Sequence, residues 1–219
     1  MTKDGKKEVI DFTIAHGESQ AAWDAFLSDL YKRGLRAEGM DLIVTDGGKG
    51  LRAALPFVYP GIPIQRCWAH KTRNVLNYIR KVDQKAAKKD LAAISHAGGI
   101  KEARGALKRF AGNWGATYPQ ALASLKECEE ELLAFYRIKD RELWKKIRTT
   151  NLIERRFREL RRRTRPMGVF SDRTSIERIL YAIFAHENFK NKVISPVLAQ
   201  DHRGSWLPGR RYQSYGYYT

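Results

Sequence analysis

The stretch 41-DLIVTDGGKGLRAAL-55 passes from a short apolar run to a carboxylate, then to two glycines and a helical pattern. A run of this length broken by Asp46 and Gly47–Gly48 reads as a buried strand whose last residue faces a turn. The helix "KGLRAAL" leads through Pro56, Pro60 and Pro63 into a second short strand, "IPIQRC". Upstream, "KKEVIDFTIAH" sets Ile10, Phe12 and Ile14 at period two, which predicts a strand ending near His16. Between these strands, Trp23, Phe26, Leu27, Leu30 and Tyr31 recur at helical spacing, with Gly34 as the stop. Strand, helix, strand, helix, strand predicts an α/β fold with parallel strand pairs.

From His70 to Leu143 every long segment reads as helix: "AHKTRNVLNYIRKV", "QKAAKKDLAAISHA", "IKEARGALKRFAGNW" and "PQALASLKECEEELLAFYRI". An arginine-rich helix follows at residues 148–165, and another runs from Ser175 to Lys192. The tail, residues 193–219, mixes Gly, Ser and aromatics without period and is expected to be irregular. No internal repeat is present.

The chain has 219 residues, enough for one substantial domain or a domain carrying a large insertion. Its 41 Lys and Arg against 24 Asp and Glu leave a formal charge of +17, a field that draws polyanions, with nucleic acid as the default partner. No apolar run is long enough to span a bilayer and no signal-like segment opens the chain, so a soluble, intracellular protein is expected. Two cysteines, Cys67 and Cys128, are too few for a disulfide framework and agree with a reducing compartment. Charge alone does not separate catalysis from passive binding.

Asp46, at a strand end, can hold a divalent metal, or it can open its turn by bonding the backbone of "DGG". "GGKG" lacks the full spacing of a phosphate loop. Segment 148–165 holds eight arginines and two acids, Glu154 and Glu159. Glu154 can complete a capping box with Asn151 and pair with Arg158 one turn on. Ile153, Phe157 and Leu160 recur at helical spacing and are expected to pack against the sheet. Cys67 and His70 form a C-x-x-H pair after a strand. With no second such pair, a buried thiol and a hydrogen-bonded histidine fit better than a structural zinc site. Eight arginines in one short segment repel one another unless an anion relieves them. Phosphate contact is therefore expected at Arg66, Lys71 and Arg73, and at Arg155, Arg156, Arg158, Arg161, Arg162, Arg163 and Arg165. Trp114 is expected to pack within the helical region rather than stack on a base.

Four segments, "VTDGGKGLRAAL", "YPGIPIQRCWAHKTRNVLNYI", "KKDLAAISHA" and "RTTNLIERRFRELRRRT", together resemble the bacterial insertion-sequence transposases of the IS256 type, related to eukaryotic Mutator elements. The resemblance covers roughly residues 4–190. It implies an RNase H-like fold with an Asp-Asp-Glu catalytic triad and a helical insertion before the Glu. The second Asp would be Asp46 and the Glu would be Glu154, with Cys67 and His70 near the acids. It further implies Mg²⁺ or Mn²⁺ as cofactor, two-metal phosphoryl transfer on double-stranded DNA at terminal inverted repeats and target sites, a homo-oligomer, and a cytoplasmic, nucleoid-associated setting. On this basis residues 4–66 form a partial RNase H-like sheet region, 67–147 the helical insertion, 148–192 the C-terminal core helices and 193–219 a tail.

The family's first Asp lies upstream of the segment matching "DGKKEVIDF", so that acid and two strands are expected to be missing here. Asp4 belongs to a turn. Asp11 lies on the strand that the resemblance places three positions from that of Asp46, roughly 14 Å away at about 4.8 Å per position. The isolated chain is therefore expected not to complete a two-metal site, and a non-catalytic DNA-binding remnant or regulator is the alternative. The exposed edge of "DLIVTD" is expected to invite pairing with another chain.

Overall fold

The apolar runs on either side of the Asp46 turn become a parallel strand pair in a computed structural model that describes residues 1, 5–15, 17–168, 170 and 172–190. In that pair, β1 (Ile43–Thr45) and β2 (Ile64–Arg66) lie with Ile43 opposite Ile64 and Thr45 opposite Arg66. Their connection runs through α2 (Lys49–Val58), which packs on α1 (Gln20–Lys32). The Ser19 hydroxyl accepts the Ala22 N–H at 3.2 Å and so caps α1. Leu27 and Leu30 of α1 meet Ala54, Leu55 and Tyr59 in a small core beside the sheet. Gly50 permits this approach: a Cβ there would stand 2.1 Å from the Glu18 carbonyl oxygen, so any larger residue would force the two helices apart.

The helical expectation for the middle of the chain holds. It contains α3 (Trp68–Leu76), α4 (Lys81–Ser95), α5 (Ile100–Trp114), α6 (Pro119–Lys126), α7 (Glu129–Leu133), a 3₁₀ turn (Ala134–Arg137) and α8 (Arg141–Ile147). Val75, Leu91, Phe110, Leu125, Leu132 and Phe135 lie at the centre of its core. Two expected helices are interrupted. The chain turns after α3 where Gln84 Nε2 donates to the carbonyls of Leu76 and Ile79, at 2.9 and 3.0 Å. The segment from Pro119 breaks at residues 127–128, and α7 gives way to the 3₁₀ turn where the Leu132 carbonyl accepts from Trp68 Nε1 and Gln65 Nε2 and the Phe135 N–H donates to Gln65 Oε1. Gln65, fully buried on β2, thus fastens the sheet to the helices. Trp114 packs as expected, its Nε1 donating to Asp90 at 2.8 Å.

Two expectations are corrected. Residues 6–15 do not form a strand: the backbone N–H and carbonyl of Val9 are both taken by the Asn188 side chain of α10 (Arg173–Lys190), at 2.9 and 2.8 Å, in place of a ladder. Asp11 on this segment is ion-paired with Arg33. Ile153 and Phe157 do not pack on the sheet but are 52% and 47% exposed on α9 (Asn151–Thr164), because a pair of three-residue strands offers little face to cover. The described residues therefore give a mostly helical fold around one parallel pair. No helix among them is long and apolar enough to cross a membrane. Asp4, His16 and the tail from residue 193 lie outside the described residues.

Candidate functional site

Both strands end at the same side of the molecule, and the chemistry-bearing residues follow directly. After β1, Asp46 opens a turn in which its Oδ1 accepts the Gly48 N–H at 3.0 Å and the buried Thr45 hydroxyl accepts the Gly47 N–H at 3.1 Å. Asp46 remains exposed, and its Oδ2 has no hydrogen-bond partner among the described residues. Gly47 holds φ +95, and a Cβ on it would meet the Arg66 guanidinium at 2.4 Å. The turn role read from "DGG" is thus real and engages one carboxylate oxygen. One side chain was missed by sequence reasoning: Glu18 Oε2 and Asp46 Oδ1 both lie within 3.6 Å of the point where a Gly48 Cβ would stand. Glu18 sits in the loop before α1, and nothing in "GES" signals that neighbour.

After β2, the Cys67 N–H donates to the Thr45 carbonyl at 2.8 Å, so Cys67 continues the pairing beside Asp46. Cys67 is fully buried, and its Sγ accepts from the Thr150 N–H at 3.3 Å and lies 3.2 Å from the Thr150 hydroxyl. The Thr150 hydroxyl is also 3.2 Å from Glu154 Oε1 and 3.4 Å from His70 Nδ1, and His70 Nε2 lies 3.6 Å from the same Glu154 oxygen. The Trp68 N–H donates to the Arg148 carbonyl at 3.0 Å, which docks the junction between α8 and α9 on the start of α3. Cys67, His70, Thr150 and Glu154 therefore form one polar knot at the end of β2. Thr150, not Asn151, stands at the N-cap position of α9 and makes no side-chain cap bond, and Glu154 faces His70 rather than Arg158, so the capping box does not form. Thr150 had no signal in the sequence, since its contacts join residues some eighty positions apart.

The arginines divide into three groups. Arg66 and Lys71 are buried, at 8% and 5% exposure, and line a cavity of about 400 Å³ that has Asp46 on its wall. Arg156 pairs with Glu187, and Arg162 and Arg163 both bond Glu159, holding that carboxyl down at about 2. Arg155, Arg158, Arg161 and Arg165, with Arg73 on α3, are exposed and form no ion pair among the described residues. Among the described residues no three His, Cys, Asp or Glu side chains gather so as to hold an ion. Asp46 and Glu154 are oxygen donors suited in chemistry to a hard divalent cation.

Comparison with known proteins gives a family context. The family model described as "Transposase, Mutator family" matches residues 1–192. A transposase for insertion sequence element IST2 from Acidithiobacillus ferrooxidans is 43% identical over 164 residues, 75% of this chain and 55% of that protein. The transposase for IS905 from Lactococcus lactis is 33% identical over 87% of this chain and 48% of its own length. That for IS256 in transposon Tn4001 from Staphylococcus aureus is 34% identical over 84% of this chain and 46% of its own. The chain spans about half the length of these relatives.

Proposed function

The chain belongs to the Mutator family of transposases, and on that footing we propose that it is the catalytic region of an insertion-sequence transposase with Asp46 and Glu154 as two of its catalytic acids. The carrying observation is the knot at Cys67. It ties Glu154, through Thr150, to the residue that pairs beside the end of β1, where Asp46 stands. This link supports an RNase H-like reading, with Mg²⁺ or Mn²⁺ as the ion of the completed site. Asp46 and Glu154 are two of the oxygen donors that would hold such an ion. What the chain's own residues do is hold and orient. Thr150 and His70 fix one oxygen of Glu154, Gly48 fixes one oxygen of Asp46, and the unpaired arginines of α9 meet duplex phosphates. The proposed reaction is cleavage and joining of double-stranded DNA at element ends, by a homo-oligomer in the bacterial nucleoid.

In a complete transposase carrying this region, Asp46→Asn and Glu154→Gln should each lower strand transfer by at least about a hundredfold while leaving duplex affinity unchanged. Thr150→Val should lower it roughly tenfold, with Thr150→Ser retaining activity, since a hydrogen bond to a charged group contributes about 1.5 to 3 kcal/mol. Normal strand transfer by Asp46→Asn or Glu154→Gln overturns the assignment. The 219-residue chain alone is expected to bind DNA without cutting it. A second reading is a DNA-binding regulator that joins a full-length transposase in a mixed assembly, supported by the exposed arginines of α9 that form no ion pair among the described residues. Metal-dependent cleavage by the purified chain, abolished in Glu154→Gln, would refute both the inactivity and that reading.

A further inference from the structure

The cavity beside Asp46 has a charge distribution that the acids do not explain. Its wall is built by the start of α2, the end of β2, one face of α3 and the end of α6. The buried cations of that wall outnumber their partners. Glu131 serves both Arg52, at 2.6 Å, and Arg66, at 3.3 Å. The second contact is an ion pair by distance only, for Arg66 Nε and Glu131 Oε2 are both buried and neither makes a hydrogen bond. Lys71 forms no ion pair among the described residues. The group beside it is the Cys128 thiol, which burial pushes up and Lys71 draws the other way. A buried cation without an anion is costly, and a phosphate entering the cavity would relieve it.

The remaining wall is of another kind. Asn74, Asn77 and Tyr78 stand three and four residues apart along and just beyond the end of α3, and all three line the cavity. Tyr78 is 49% exposed on this wall. Side-chain amides read base edges, and an exposed aromatic ring offers a stacking platform. The carboxylates of Asp46 and Glu127, both exposed on this wall, repel a second phosphate and can accept from a base amino group. At about 400 Å³ the space falls within the range of small-ligand sites and has no room for a duplex.

We propose that this cavity takes one unpaired nucleotide of a DNA substrate, its phosphate against Arg52, Arg66 and Lys71 and its base against Tyr78. The inference rests on the DNA-transposase reading and deepens it. The cavity selects a deformed position in the duplex and brings it to Asp46, while the arginines of α9 hold the paired flank. Taking a base out of the stack costs least where it is already mispaired, so a mismatch supplies the probe.

The test compares, by fluorescence anisotropy with the whole chain, two duplexes of equal length that differ by one mismatched pair. The mismatched duplex should bind about tenfold tighter, as expected for one base–aromatic stack. Tyr78→Ala should abolish that preference without changing affinity for the paired duplex, and Tyr78→Phe should keep it; Lys71→Met should also abolish the preference. Tyr78 is half-exposed, so its substitution decides the matter even if Lys71→Met fails to fold. Equal binding of the two duplexes overturns the inference and leaves the transposase reading standing, whereas failure to bind either duplex overturns both. A preference that survives Tyr78→Ala also overturns it, as does loss of the signal to equimolar free deoxynucleoside monophosphate, which would mark a site for free nucleotides.

Discussion

The helices from Trp68 to Arg137 and the helix α9 are built on opposite plans. The first group encloses a core in which Phe110, Leu125, Leu132 and Phe135 are essentially without solvent contact. α9 contains no buried residue at all and is positioned by polar bonds at its first turn and by the Arg156–Glu187 ion pair to α10. Burial places a helix along its whole length, whereas polar ties near one end set the position of that end and leave the remaining length to the surface. The contrast suits a helix whose N-terminal Glu154 needs a defined place and whose arginines need to stay available.

The largest expected effect tests burial. Phe110→Ala should destabilise the protein by about 3 to 5 kcal/mol in denaturant unfolding, whereas Phe157→Ala on α9 should stay within about 0.5 kcal/mol. Similar losses from the two would erase the contrast. A smaller effect should appear in alkali. Burial pushes the Tyr136 hydroxyl from 10.0 up to about 12. The folded state then keeps a proton that the unfolded chain releases, so stability is complete below pH 10 and is lost as pH rises through 12. Thermal melts across that window should fall for the parent and fall less for Tyr136→Phe. The smallest effect belongs to the open helix. Arg155→Ala and Arg158→Ala should leave melting unchanged and should each reduce the slope of log affinity against log salt by about 1.

How far the sequence could be read follows the same division. Period and punctuation were enough for β1, α2, β2 and α5, because each is decided by its own residues. The stretch around Val9 has equally good alternation, but a strand exists only with a partner, and Asn188 takes Val9's hydrogen bonds instead. Ile153 and Phe157 teach a related lesson: spacing reveals an apolar face without revealing what, if anything, lies opposite. At the site, the residue types at Asp46, Cys67, His70 and Glu154 stood out. Thr150 and Glu18 did not, because their meaning comes entirely from neighbours distant in the chain. The burial of Arg66 and Lys71 was equally hidden, since a charged residue next to a strand reads as surface until its surroundings are known.

Gln65 carries one more consequence. Its amide donates to the Arg66 and Leu132 carbonyls and accepts the Phe135 N–H, so one side chain ties β2 to the helical segment beyond it. The seam between sheet and helices is thus closed by polar bonds in the interior, and an apolar residue of the same size at position 65 would strand the buried Phe135 N–H without its acceptor.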